Sequence, residues 1–78
     1  MGDRPSPVQL RVLEAARDGR LIWSAHRMRW VRQSPGSAGW SPVARSTWGV
    51  VRVERWIDDA GRLTESGRVV LEEATRDV

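Results

Sequence analysis

Seven arginines fall between residues 20 and 57, at positions 20, 27, 29, 32, 45, 52 and 55, against one acidic residue, Glu54. A guanidinium is planar, permanently charged and able to donate two parallel hydrogen bonds, which suits phosphate oxygens and the guanine edge. Arg27, Arg29 and Arg32 are interleaved with His26, Met28, Trp30 and Val31. That alternation lets charge follow a polyanion while an indole stacks on a base. Arg45 and Arg52 lie seven positions apart with Gly49 between them, a spacing that puts both on one face of a helix. Residues 1–19 are neutral and residues 58–78 carry −3, so the total of +3 conceals +6 in the middle of the chain. Such segregation points to an anionic partner, nucleic acid first. The plain alternative is a solvated, arginine-rich surface.

Other chemistries are short of parts. The chain has no Cys, no Lys and one His, His26, which leaves no thiolate, no Schiff-base amine and no pair of imidazoles for a metal. Asp58 and Asp59 are adjacent carboxylates without further ligands and read as a turn, and His26 reads as a turn residue. The expectation is a non-enzymatic binding protein without metal or cofactor. At 78 residues one domain spans 1–78, with 1–6 as a flexible N-terminus, and a chain this small buries only roughly 60–65% of its unfolded surface. No segment approaches a membrane span, and Met1–Pro7 lacks the basic and apolar regions of a signal peptide. Arg in place of Lys, with abundant Ala, Gly and Val, has the look of a GC-rich coding sequence. A cytoplasmic protein of a bacterium or a phage-infected host is therefore expected.

The elements that must position these arginines are marked unevenly. Ser6-Pro7-Val8-Gln9 reads as a capping box with proline at the first helical position. Val8, Leu10, Val12, Leu13, Ala15 and Ala16 share an arc that faces away from Arg11, Glu14 and Asp18, and Gly19 ends the helix. Leu21–Trp23 and Met28–Arg32 flank a tight connection at Ser24–Arg27 and read as a hairpin; Gln33–Gly39 reads as a loop. Residues 40–57 admit several readings. A helix could start at Ser41-Pro42; Trp40–Ala44 could be a strand before a helix over Thr47–Arg55 capped by Ser46; or Trp48–Ile57 could be a strand, since Gly49, Val50, Val51 and Val53 are poor helix formers. The helix from Ser46 is favoured. Asp58–Gly61 is a turn, Arg62–Thr64 a brief return strand, and Thr64 caps a last helix with a Gly67, Val70, Leu71, Ala74 stripe. Without Phe or Tyr, Trp23, Trp30, Trp48 and Trp56 are expected to pack, while Trp40 is either a loop anchor or an exposed stacking contact.

The segment from Trp56 to Leu71, with Asp58-Asp59-Ala60-Gly61 leading into Leu63-Thr64-Glu65-Ser66-Gly67-Arg68, resembles the closing section of small bacterial and phage winged-helix DNA-binding proteins. With Gln9–Ala16 as the opening helix, the resemblance covers both ends of the chain. The middle departs from it, because Arg20–Ala44 reads as hairpin and loop where a full helix-turn-helix has a second helix. The resemblance implies an α+β winged-helix-like domain of order α-β-β-(loop/β)-α-β-β-α, with Thr47–Arg55 as recognition helix and Asp58–Arg62 as wing. It further implies that Arg45, Arg52 and Arg55, the hairpin residues Arg27, Arg29 and Arg32, and the wing residue Arg62 contact duplex DNA, as in a transcriptional regulator or recombination accessory factor. Docking on an acidic protein is the alternative, since Arg and Trp also dominate protein hot spots. A homodimer through Val69 and Val78 of the last helix is a further option.

Overall fold

The computed structural model describes residues 5–33, 36 and 39–76, which form three helices and a three-stranded antiparallel sheet in an α+β domain. Helix α1 spans Pro7–Arg17. Its start is the expected capping box: the Gln9 amide donates to Ser6 Oγ at 3.2 Å, and the Ser6 amide donates to Gln9 Oε1 at 2.9 Å. Pro5 is buried, so positions 5 and 6 belong to the folded domain and the flexible stretch anticipated over 1–6 does not include them; residues 1–4 lie outside the described part. Val12, Leu13 and Ala15 are buried, whereas Val8 in the first turn is exposed. The buried arc is narrower than the apolar arc of the sequence. Gly19 follows at φ 73°, the left-handed stop expected there.

At this corner Asp18 receives two arginines. Arg17 Nε lies 2.9 Å from Asp18 Oδ1 and Arg20 reaches Oδ2 at 3.0 Å, while Arg20 also donates to the Gln33 carbonyl. Two guanidinium donors favour the carboxylate and lower the Asp18 pKa to about 2. Arg20 is thereby committed to joining α1 to the sheet.

Strands β1 (Leu21–Ser24) and β2 (Arg29–Gln33) form the anticipated hairpin, with Leu21 opposite Arg32 and Trp23 opposite Trp30. The connection is Ala25–Met28, one residue later than the sequence reading. Met28 therefore leaves the strand and sits in the turn at φ 55°, while Ser24 Oγ accepts from the Arg27 amide at 3.2 Å. Strand β3 (Trp40–Pro42) pairs with β2, placing Trp40 opposite Gln33. The loop expected between them falls largely on residues outside the described part. Leu21, Trp23, Trp30 and Arg32 share one sheet face, on which Leu21 joins the core; Ile22, Arg29 and Val31 share the other.

Helix α2 runs from Arg45 to Val53, two residues earlier at both ends than anticipated. Its N-cap is Ala44, which offers no side-chain acceptor, and Ser46 lies inside the helix instead of capping it. The strand turns directly into the helix because Val43, 5% exposed, is already in the core. Poor local propensity is overridden by burying Thr47 and Val51. Arg55 falls beyond the helix, at φ 61°, and the Trp56 amide bonds the Val51 carbonyl at 3.0 Å to close the end. The two-stranded wing reduces to one bridge, Ile57 with Leu63. Asp58 makes strands unnecessary there: its Oδ1 accepts from the Ala60 and Arg62 amides, each at 2.9 Å.

Helix α3 spans Glu65–Arg76. Thr64 caps it, its hydroxyl accepting from the Gly67 amide at 3.0 Å while donating to the Arg55 carbonyl. Leu71 is buried, Val70 and Ala74 half-buried, and Val69 exposed; Val78 lies outside the described residues. Helix α1 packs against α2, α3, β1 and β2 and so lies at the centre of the domain. No described helix is long and apolar enough to cross a membrane.

Two glycines separate packing from propensity. A Cβ on Gly67 would stand 2.1 Å from the Trp56 carbonyl oxygen, whereas one on Gly49 would meet nothing within 4 Å. Gly67→Ala should cost about 3 kcal/mol, the upper end of overpacking penalties, because backbone must move. Gly49→Ala should add about 0.5–1 kcal/mol through helix propensity. Urea denaturation of both variants checks the pair, and equal effects would contradict this packing. Asp18 sets a pH dependence: its carboxylate pKa is depressed, so its contribution is complete above the ordinary carboxylate range and is lost as pH falls through about 2. The stability gap between the parent and Asp18→Asn should be constant near neutrality and close only in that acid window, as urea melts across pH will read.

Candidate nucleic-acid interface

The side of the domain that carries charge is organised by indoles. Trp30 of β2 stacks on Trp48 of α2 with ring centroids 4.6 Å apart and planes at 23°, and Trp23 of β1 meets Trp30 edge-on at 5.9 Å and 69°. The Arg52 guanidinium continues the series, 6.0 Å from the Trp48 ring centroid, within range of a cation–π contact. The turn before α3 closes against the same rings: Gly61, at φ 78°, leaves the Trp30 ring the space that a Cβ would enter at 2.5 Å. Hairpin, α2 and turn are thus held in one arrangement by aromatic packing.

Of the tryptophans expected to pack, Trp56 is buried and Trp30 and Trp48 lie against the core, but Trp23 is 47% exposed. It sits at the outer end of the stacked series, with only Trp30 as aromatic neighbour. Trp40 is on a strand instead of in a loop and is also exposed, on the sheet face opposite to Trp23 and Trp30. The stacking role considered for it would therefore act on a different surface from the indole series.

Between the hairpin tip and the first turns of α2 runs a groove of about 390 Å³, lined by Trp23, Met28, Arg29, Trp30, Val43, Arg45, Trp48 and Gly49. It brings together two of the anticipated residues, Arg29 and Arg45, from elements 16 positions apart in sequence. Arg29 Nε is buried without a hydrogen-bond partner among the described residues, and the register of the hairpin puts its side chain on the sheet face opposite Trp23 and Trp30. Arg45 opens α2, where the first amides lack a side-chain cap, so its charge adds to the positive end of the helix. Among the described residues no carboxylate lines the groove.

The remaining arginines spread around this centre. Arg45 and Arg52 do share a face of α2, with Trp48 and Gly49 between them. Arg52 is paired with Asp59 of the following turn. Arg27 is exposed in the hairpin turn and Arg62 at the end of the Asp58–Gly61 turn. Arg55, past the end of α2, is exposed beside the Thr64 junction. Arg32 is half-buried on the face of the sheet that carries Leu21, away from the hairpin tip. Sequence reasoning missed the groove, because Trp23 and Met28 read as packing and strand residues. The Arg52–Asp59 pair was also missed, although its separation of seven residues across a turn was a usable signal.

Comparison with protein-family models, with curated proteins and with solved structures finds no match for this chain.

The Arg52–Asp59 pair joins a guanidinium 36% exposed to a carboxylate 90% exposed, and exposed pairs contribute at most about 1 kcal/mol. Asp59→Asn should therefore leave the thermal midpoint within a few degrees of the parent's, as thermal melts of the two proteins will read; a larger drop would show that the pair holds the turn to α2.

Proposed function

We propose that this domain binds double-stranded DNA, with α2 entering the major groove and the hairpin and wing arginines on the flanking backbone, in the manner of a small winged-helix-like regulator or recombination accessory factor. The observation that carries the reading is the make-up of the α2 surface. Arg45 stands at an uncapped helix start and Arg52 two turns later on the same face, while the side chains next to them, Ser46, Gly49 and Val50, are small and exposed. A helix with a low, basic surface can approach base edges closely, and its first amides can meet a phosphate. The turn held by Asp58 follows α2 as a wing does, and α3 opens at Thr64 as the resemblance implies. Among the described residues no helix lies between α1 and α2; the three-stranded sheet stands there and supplies Arg27 and Arg29 in its place.

A protein partner is the second reading, and one observation favours it: Val53 is 79% exposed beside Val50 on α2. An acidic protein with an apolar ridge would cover both features.

The two readings part on salt. Duplex binding through roughly five phosphates should give a slope of log K against log salt of about −4 to −5. Arg45→Ala should weaken binding to all duplexes and reduce the slope by about one phosphate, whereas Arg52→Ala should relax the preference at one base pair by about 1–3 kcal/mol. Mobility shifts across a salt series measure each quantity. A parent protein that ignores duplex at low salt removes the DNA reading.

A further inference from the structure

The hairpin–α2 groove contains surface that duplex readout does not use. Trp30 is occupied on one side by Trp48, whereas Trp23 meets Trp30 at 69° without stacking on it and is 47% exposed, so part of its ring surface stays open. In a chain whose only aromatics are five tryptophans, an indole left half out of water is poorly spent on packing. Met28 adds a polarizable thioether from the turn, 69% exposed, and Gly49 keeps the α2 wall low. At about 390 Å³ the space lies in the range of small-ligand pockets.

The polar groups specify what an occupant must carry. Arg45 is cationic and exposed at the uncapped start of α2, and among the described residues no carboxylate lines the groove. The complement is a flat aromatic group attached to an anion. A nucleobase on its sugar–phosphate has this form. A paired base within a duplex does not present its ring face, because its neighbours cover both sides.

We propose that the groove holds an unpaired nucleobase of the bound DNA, at a single-stranded overhang or an extruded position. The base stacks on Trp23 beside Met28, and its flanking phosphate meets Arg45. This rests on the nucleic-acid reading above and makes a junction between duplex and single strand the preferred substrate.

The test uses the full chain with two labelled probes, a blunt duplex and the same duplex bearing a short thymidine overhang. The parent should bind the overhang probe about tenfold more tightly, as expected for one stacked base, with quenching of tryptophan fluorescence. Trp23→Ala should abolish that preference while keeping its affinity for blunt duplex, its thermal midpoint falling by only a few degrees with the loss of the Trp30 contact; Met28→Ala should reduce the preference in part. Equal affinity of the parent for both probes overturns the base pocket and leaves duplex binding standing. A preference that survives in Trp23→Ala overturns it as well. Binding to neither probe at low salt overturns the pocket and the DNA reading together, whereas binding to the overhang alone supports the pocket against the duplex reading.

Discussion

The carbonyl oxygen of Trp56 stands 2.1 Å from where a Cβ of residue 67 would be, so only glycine lets α3 approach the chain leaving α2. That contact puts α3 beside α1 and brings Trp56 and Ile57 into the core with Leu71. It is reinforced at once by Thr64, whose amide bonds the same Trp56 carbonyl at 2.9 Å and whose hydroxyl joins Arg55 to Gly67. Arg55 can hold a left-handed conformation, ordinarily the place of glycine, because its carbonyl is claimed by Thr64. The direction in which α2 points is therefore settled at its C-terminal end, and the surface of Arg45, Trp48, Gly49 and Arg52 follows from it.

A second layer of order comes from the indoles. The core proper is aliphatic, built from Val12, Leu13, Leu21, Val43, Val51, Ile57 and Leu71 with Trp56. Trp30 and Trp48 lie at its edge, where they join hairpin to helix, with Trp23 against Trp30. This division suits a domain too small for a large interior: its stiffest contacts stand at the surface, between elements that must keep a fixed relation if arginines from both are to act together. Asp18, with Arg17 and Arg20, does the same at the opposite end of the hairpin, using charge where the tryptophans use ring faces.

How much of this was readable from sequence depends on whether a local signal sufficed. The capping box at Ser6, the left-handed Gly19, the turn at Asp58–Gly61 and the cap at Thr64 are short-range patterns, and each is present where the residues place it. Gly67 was readable as a close-approach residue from its position in the α3 stripe. The helix favoured over Thr47–Arg55 forms, but its start at Arg45 was not readable, because its N-cap, Ala44, carries no acceptor and Gly49 and the valines argue against a helix. Only burial of Thr47 and Val51 against α1 decides for it. The wing strands were overread for the converse reason, since Asp58 satisfies with one carboxylate the amides that a ladder would otherwise need. At the candidate site the arginines were visible as a charge cluster, but Arg32 stands at the far end of β2 from the hairpin tip and Arg20 is held by Asp18, neither of which composition reveals.

The stacked pair of Trp30 and Trp48 also gives the molecule an optical property. Two indoles with centroids 4.6 Å apart and planes inclined at 23° are close enough for their electronic transitions to couple, and the inclination makes that coupling chiral. The result is an exciton contribution to the circular dichroism that is lost when β2 leaves α2, beside the one that the Trp23–Trp30 pair makes within the hairpin. Docking of the hairpin thus has its own spectroscopic voice, separate from the helical signal of α1 and α3, in a protein otherwise too small to resolve into parts.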